Sequence, residues 1–301
     1  MSPTVRPLYR LQELAIRTLY VEVKERANAA GHLLRGTPGT LVKRSGTGRE
    51  YWYRSYYPRP RTRSEDYVGP VGNAAAHAAM QSRIADSDRT AKQVAALSKL
   101  GYHVADKGVA AVLVELHNQK ILEAGLVVVG TLGCMGWLNE YGAVATAARS
   151  IHPTRRYSLK LAAPVPSPGT QAAPLPPCAL GLGVELIADP FHDYLFEGSR
   201  AAALLAGGHC VPVLLPQVSR MIWHKLYAST RRAHEPAKAE KDLLQAATLA
   251  AVLIETDRVP LRESFKDAPL KLRAAAYARL RRMDALLAAH PQAREGFREL
   301  E

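Results

Sequence analysis

With 301 residues the chain can bury a large core spread over roughly two or three modules. Its 40 Lys or Arg against 27 Asp or Glu leave a formal charge of +13, which suits a polyanion or an acidic protein partner. The three cysteines, Cys134, Cys178 and Cys210, lack CxxC spacing, which excludes a disulfide scaffold and a structural zinc site, while the missing signal-type block and apolar span point to the cytoplasm and away from a membrane.

Residues 8–30 repeat apolar side chains at helical spacing (Leu8, Leu11, Leu14, Ile16, Leu19, Tyr20, Val23), which predicts a helix stopped by Gly31. Residues 40–57 alternate on either side of Ser45-Gly46-Thr47-Gly48 and predict a β-hairpin. Its arms carry Lys43, Arg44, Arg49 and Arg54 interleaved with Tyr51, Trp52, Tyr53, Tyr56 and Tyr57. Residues 1–63 contain thirteen Lys or Arg and four Glu, and so supply nine of the thirteen net positive charges. Two readings follow. In one, Lys43, Arg44, Arg49 and Arg54 meet phosphates and Trp52 stacks on a base. In the other, Trp52 and alternate tyrosines pack the hairpin against a helix beneath a solvated basic face. Tyr67-Val68-Gly69-Pro70 closes this first module.

Residues 73–100 lack Pro and Gly up to the last position and predict one long helix, weakest at Asp86-Ser87-Asp88. A second helix over 106–122 carries an apolar stripe of Val109, Val112, Leu113, Leu116 and Ile121. Leu126–Val129 reads as a buried strand ending at Gly130-Thr131, followed by a helix-permissive stretch as far as Asn139. A further strand alternates through Tyr157, Leu159 and Leu161. Strand, glycine-hydroxyl turn and helix make a place where free N–H groups bind a phosphate, but a core strand with an ordinary glycine turn fits the same residues. Six prolines between 163 and 178 predict a loop. Leu182–Ala188 returns as a strand bearing Glu185, whose carboxylate calls for a metal, an arginine or exposure. Asp189, His192 and Asp193 extend an acidic patch able to hold Mg2+. Val211–Leu215 is a short strand, and the remainder is helical. Lys225, Arg231, Arg232, Lys238 and Lys241 lie where two of these helices meet and form either a clamp for triphosphate or nucleic acid, or a solvated basic face.

Three stretches resemble a bacterial family of the polymerase-β-like nucleotidyltransferase superfamily: LVKRSGTGREYWYRSYY with the following YVG, VVVGTLGCMGWLNEYG, and VPVLLPQVSRMIWHKLYASTRRAHEPAKAEKDLLQA. The resemblance implies an α+β fold: a core of short mixed sheet and helices, preceded by an N-terminal helix and β-hairpin and followed by a C-terminal helical bundle. The corresponding division is 1–70, 71–215 and 216–301. It also implies transfer of a nucleoside monophosphate from an NTP to an RNA or protein hydroxyl. Gly130 and Thr131 would hold phosphate, paired carboxylates two residues apart on the next strand would bind two Mg2+, and a third acid would sit on a later strand.

The chain departs from that pattern at the pair. Ser158 and Lys160 occupy its positions, and no Asp or Glu occurs between Glu140 and Glu185. Serine is no substitute for a bridging carboxylate, and Lys160 suits a phosphate better than a metal. Three functions are therefore expected as alternatives. The first is a nucleotide- or nucleic-acid-binding protein with an impaired or rebuilt metal site, using Gly130, Thr131, Ser158, Lys160, Lys225, Arg231 and Arg232. The second is an active transferase with Glu185 as catalytic and metal-binding residue beside Asp189 or Asp193. The third is an interaction or antitoxin-type subunit whose basic surface meets an acidic protein.

Overall fold

The computed structural model describes residues 6–46, 48–59, 61–146, 160–162, 185–186, 191–257 and 261–300. Its centre is a six-stranded mixed sheet. Numbering strands along the chain, these are β5 (Val104–Ala105), β6 (Val127–Val129), β8 (Lys160–Ala162), β9 (Glu185–Leu186), β10 (Arg200–Ala206) and β11 (His209–Leu215), in the spatial order β5-β10-β11-β6-β8-β9. β10 and β11 form an antiparallel hairpin through Gly207-Gly208, with β5 parallel to β10 and β6 parallel to β11. β8 runs antiparallel to β6, and β9 parallel to β8.

Both faces of the sheet are covered, and residue parity decides what each strand position meets. Val128, Ala202, Leu204, Ala206, Val211, Val213 and Leu215 join the main core. That core is built with α3 (Lys107–Asn118), α4 (Gly130–Tyr141), α6 (Val218–Arg231) and α7 (Pro236–Val252). Ala203, Leu205 and Cys210 face the other way, onto Tyr20, Val23 and Ala27 of α1 (Leu14–Ala29) and Val94 and Leu97 of α2 (Ala74–Lys99). Further along that face, Val127 and Val129 pack on Leu195 of α5 (His192–Phe196).

The approach of α4 to the sheet depends on glycine. A Cβ on Gly136 would lie 2.7 Å from Leu215 Cδ1, and one on Gly133 would lie 2.9 Å from the Val128 carbonyl oxygen. Neither contact is sustainable in a packed interior. At the far end of α4, Asn139 accepts from the His103 N–H (2.9 Å) and donates to the His103 carbonyl (2.8 Å), pinning the lead into β5.

The N-terminal region differs in part from expectation. The helix starts at Leu14, not at residue 8, because β1 (Tyr9–Leu11) pairs antiparallel with β7 (Ala143–Ala145). The hairpin forms as β2 (Thr40–Gly46) and β3 (Arg49–Arg59), and β4 (Thr62–Pro70) extends it to a three-stranded meander. α2 runs unbroken through Asp86-Ser87-Asp88, where the acids pair along the helix with Arg89 (3.4 Å) and Lys92 (2.7 Å). The C-terminal helices end in α8 (Arg262–Lys266), α9 (Leu270–Leu286) and α10 (Pro291–Arg298), after a π-helical turn at Leu253–Asp257. This end of the chain clasps the beginning. Buried His290 accepts from the Leu8 N–H at Nε2 (2.8 Å) and lies 3.0 Å through Nδ1 from Glu255, which also accepts from Tyr9 Oη (2.7 Å). The Leu8 donor fixes the tautomer, so Nδ1 carries the proton toward Glu255. Among the described residues no helix is long and apolar enough to cross a membrane.

Candidate functional site

The turn singled out in the sequence lies where β6 passes into α4. Gly130 has φ +72°, a conformation that side-chain-bearing residues adopt at a cost, and α4 starts from it. The free N–H groups of a helix start and its positive dipole end therefore lie at the carboxyl end of a central strand. Half-buried Thr131 accepts at Oγ1 from Lys241 Nζ of α7, 3.2 Å away.

Charge around this turn is sorted by helix geometry. Successive residues on a helix point about 100° apart, so Lys241 and Asp242 reach different neighbours. Asp242 is buried against α6, where it pairs with Lys225 Nζ (3.0 Å) and with Arg232. Lys225, itself buried, also donates to Gln245 Oε1 (2.6 Å). Lys225 and Arg232 thus share one internal carboxylate, and Arg231 is exposed at the end of α6. Lys241 has no carboxylate partner among the described residues. Burial, and then the Lys225 ammonium, hold its pKa below the usual lysine value. One turn into α4, fully buried Cys134 has its thiol pushed up to about 12 by burial.

The other residues expected at the core fall in one row of the sheet. Val129 is paired with Lys160 across β6 and β8, and Lys160 with Glu185 across β8 and β9. Strands lie about 4.8 Å apart, so the Glu185 backbone is about 10 Å from the strand that ends at Gly130. Ser158 and Asp189 lie outside the described residues, as do the whole proline-rich stretch between 163 and 178 and the beginning of the Tyr157–Leu161 strand. Asp193 is exposed on α5. Among the described residues no three His, Cys, Asp or Glu side chains gather as a metal site.

The hairpin cations divide between the two faces of the meander. Arg54 is fully buried, with Asp66 at 2.8 Å and the carbonyls of Arg35, Thr37 and Pro38 at 3.1–3.3 Å. Its guanidinium carbon also lies 3.8 Å from the Tyr56 ring centroid, so its donors are occupied within the protein. Trp52 packs on His77 of α2 (4.5 Å between centroids), with Lys43 Nζ 5.3 Å from its ring, which is the helix-packing arrangement expected for this residue. Arg44 pairs with Glu65 on the opposite face, and Arg49 is exposed.

A mixed sheet carrying a strand–glycine turn–helix unit, flanked by N- and C-terminal helices, defines an α+β core of the polymerase-β-like nucleotidyltransferase type. Residues 145–269 match a family model described as nucleotidyltransferase, so a nucleotidyltransferase-like domain covers part of the chain. No curated protein and no solved structure matches it. The matched segment runs from the end of β7 beyond α8 and contains Lys160, Glu185, Lys225, Lys241 and Asp242, while the Gly130-Thr131 turn precedes it. The distinction between Lys241 and its basic neighbours has no sequence signal beyond the i+1 offset from Asp242, because the partner of each is set by how α7 packs.

Proposed function

We propose that the protein binds the phosphates of a nucleotide at the Gly130-Thr131 turn, with Lys241 as the cation that meets them. In this reading it is a nucleotidyltransferase-fold protein whose carboxylate pair is replaced by Ser158 and Lys160. The observation that carries the reading is the Lys241–Thr131 contact at 3.2 Å, at the start of a helix and with no carboxylate paired to Lys241 among the described residues. A lysine kept partly desolvated lacks its full hydration, and a phosphate oxygen restores the missing interaction.

A Mg2+ pair fits these residues poorly. Its bridging ligands are strand carboxylates, and the two positions that the family resemblance assigns to them, Ser158 and Lys160, are serine and lysine. A lysine at that position replaces metal charge with its own, which suits binding more than transfer. A second reading keeps Glu185 as the acid of a working transferase, favoured by its register next to Lys160 and one strand from β6.

Calorimetric titration with each NTP, in EDTA and again with Mg2+, tests the proposal. Wild type should bind at least one NTP in EDTA, and Lys241→Ala should weaken that binding at least tenfold with the fold intact. Equal affinity of the two proteins would overturn it. Transfer of label from an NTP to RNA or protein, abolished by Glu185→Gln, would establish the second reading in its place.

A further inference from the structure

The outer face of the β2–β3–β4 meander has no part in the nucleotide turn, yet it has an organisation of its own. We propose that this face is a docking platform for single-stranded nucleic acid, with Tyr51, Tyr53 and Tyr67 stacking on bases and Arg44, Arg49 and Arg63 meeting the backbone phosphates. The inference does not rest on nucleotide binding in the core.

Register separates the two faces. Lys43 is opposite Trp52, and both belong to the side that meets α2. Val42 opposite Tyr53, Arg44 opposite Tyr51, and Gly46 opposite Arg49 belong to the other side. β4 has an irregularity here: Trp52 pairs with Gly69, while Tyr53 pairs with Tyr67, leaving Val68 as an extra residue. This bulge brings Tyr67 directly across from Tyr53. The ring centroid of Tyr67 is 5.6 Å from that of Tyr53, near edge-on at 71°, and 6.0 Å from that of Tyr51. Tyr67 is 57% exposed. Three rings thus form a contiguous aromatic cluster on the side of the sheet away from α2.

Charge selects the occupant. The meander, residues 40–70, has seven Lys or Arg against Glu50, Glu65 and Asp66, a net charge of +4 by sequence, and Arg44, Arg49 and Arg63 border the tyrosines. Among the described residues a single acid answers them on this face: Glu65 takes Arg44 at 2.5 Å and Arg63 at 3.1 Å. Duplex bases are already stacked on each other, so an exposed aromatic cluster favours a single strand, which presents its bases. Glu65 then acts as a placeholder that orients two guanidiniums until phosphates displace it.

The test is fluorescence anisotropy of labelled single-stranded RNA and DNA oligonucleotides, and of a duplex of the same length, at low and moderate salt. The single strand should bind more tightly than the duplex, with affinity falling as salt rises. Tyr67→Ala should weaken binding about tenfold, in the range of one lost base stack, while Tyr67→Phe should retain it. Glu65→Gln should tighten binding by releasing both arginines, a gain that misfolding cannot imitate. No binding at low salt would overturn the proposal, as would equal affinity for the duplex, indifference to Tyr67→Ala, or binding of polyglutamate in preference to either oligonucleotide.

Discussion

Arg54 offers the sharpest test of how the N-terminal meander is held together. Arg54→Met keeps most of the side-chain volume and the stack on Tyr56 but removes every donor. In the wild type that guanidinium binds Asp66 (2.8 Å and 3.3 Å) and three backbone carbonyls, those of Arg35, Thr37 and Pro38. Breaking a fully buried ion pair costs about 3–5 kcal/mol, and each buried acceptor left unpaired costs about 1–3 kcal/mol. Asp66 is 39% exposed and recovers water, so the ion-pair cost is largely offset and the loss comes from the three carbonyls, about 3 kcal/mol with each at the low end of its range. Urea denaturation followed by tryptophan fluorescence measures it, with Trp52 two residues away on the same strand as a local reporter. Arg54→Lys, retaining charge but not the planar fork, should fall between. A loss below about 1 kcal/mol for Arg54→Met would refute this account, because it would mean that the carbonyls and Asp66 do not depend on the guanidinium.

Two further outcomes follow from buried groups. His290→Ala leaves the Leu8 N–H and Glu255 without their shared partner, at about 1–3 kcal/mol. Hydrogen exchange should then quicken at residues 8–11 and in the paired β7, and unchanged protection there would show that the clasp is not what seats β1. The Cys134 and Cys210 thiols are each raised by burial from an ordinary 9.0 to about 12. A raised pKa means that the folded form holds the proton more firmly than the unfolded chain. Their contribution is complete below about pH 9 and is lost as pH climbs from 9 toward 12. The urea midpoint should therefore fall over that range, less steeply in a Cys134→Ala/Cys210→Ala protein. At pH 8 no more than one of the three thiols should react with a thiol reagent before unfolding, and fast reaction of two or three would contradict the burial.

Much of the framework was readable before any coordinates. The lack of Pro and Gly located α2, an apolar stripe located α3, alternation about Ser45–Gly48 located the first hairpin, and the apolar run ending at Gly130-Thr131 located the central strand and its turn. The main omission was β10, RAAALLA, an alanine-rich stretch without alternation because both of its faces are buried. β4 was missed as well, since Glu65, Asp66, Gly69 and Pro70 disfavour a strand locally and pairing with β3 overrides them. The helical character of the chain end is legible, but the bounds of α10 are set by its packing on α9 and the π-turn.

What the amino-acid sequence determined by itself was that an apolar run ends at Gly130-Thr131, that no Asp or Glu occurs between Glu140 and Glu185, and that the N-terminal third is strongly basic. These are properties of residue identity and spacing. Tertiary structure decided which carboxylate, if any among the described residues, each cation meets. Arg44 and Arg54 look equivalent along the chain, but strand parity sends one outward to Glu65 and the other inward to Asp66 and three carbonyls. Lys225 and Lys241 look equivalent as well, and the packing of α7 against α6 and α4 buries one on Asp242 and leaves the other beside Thr131. A charge is answered or left open by what lies within a few ångströms of it, and sequence spacing does not fix that distance between elements far apart in the chain.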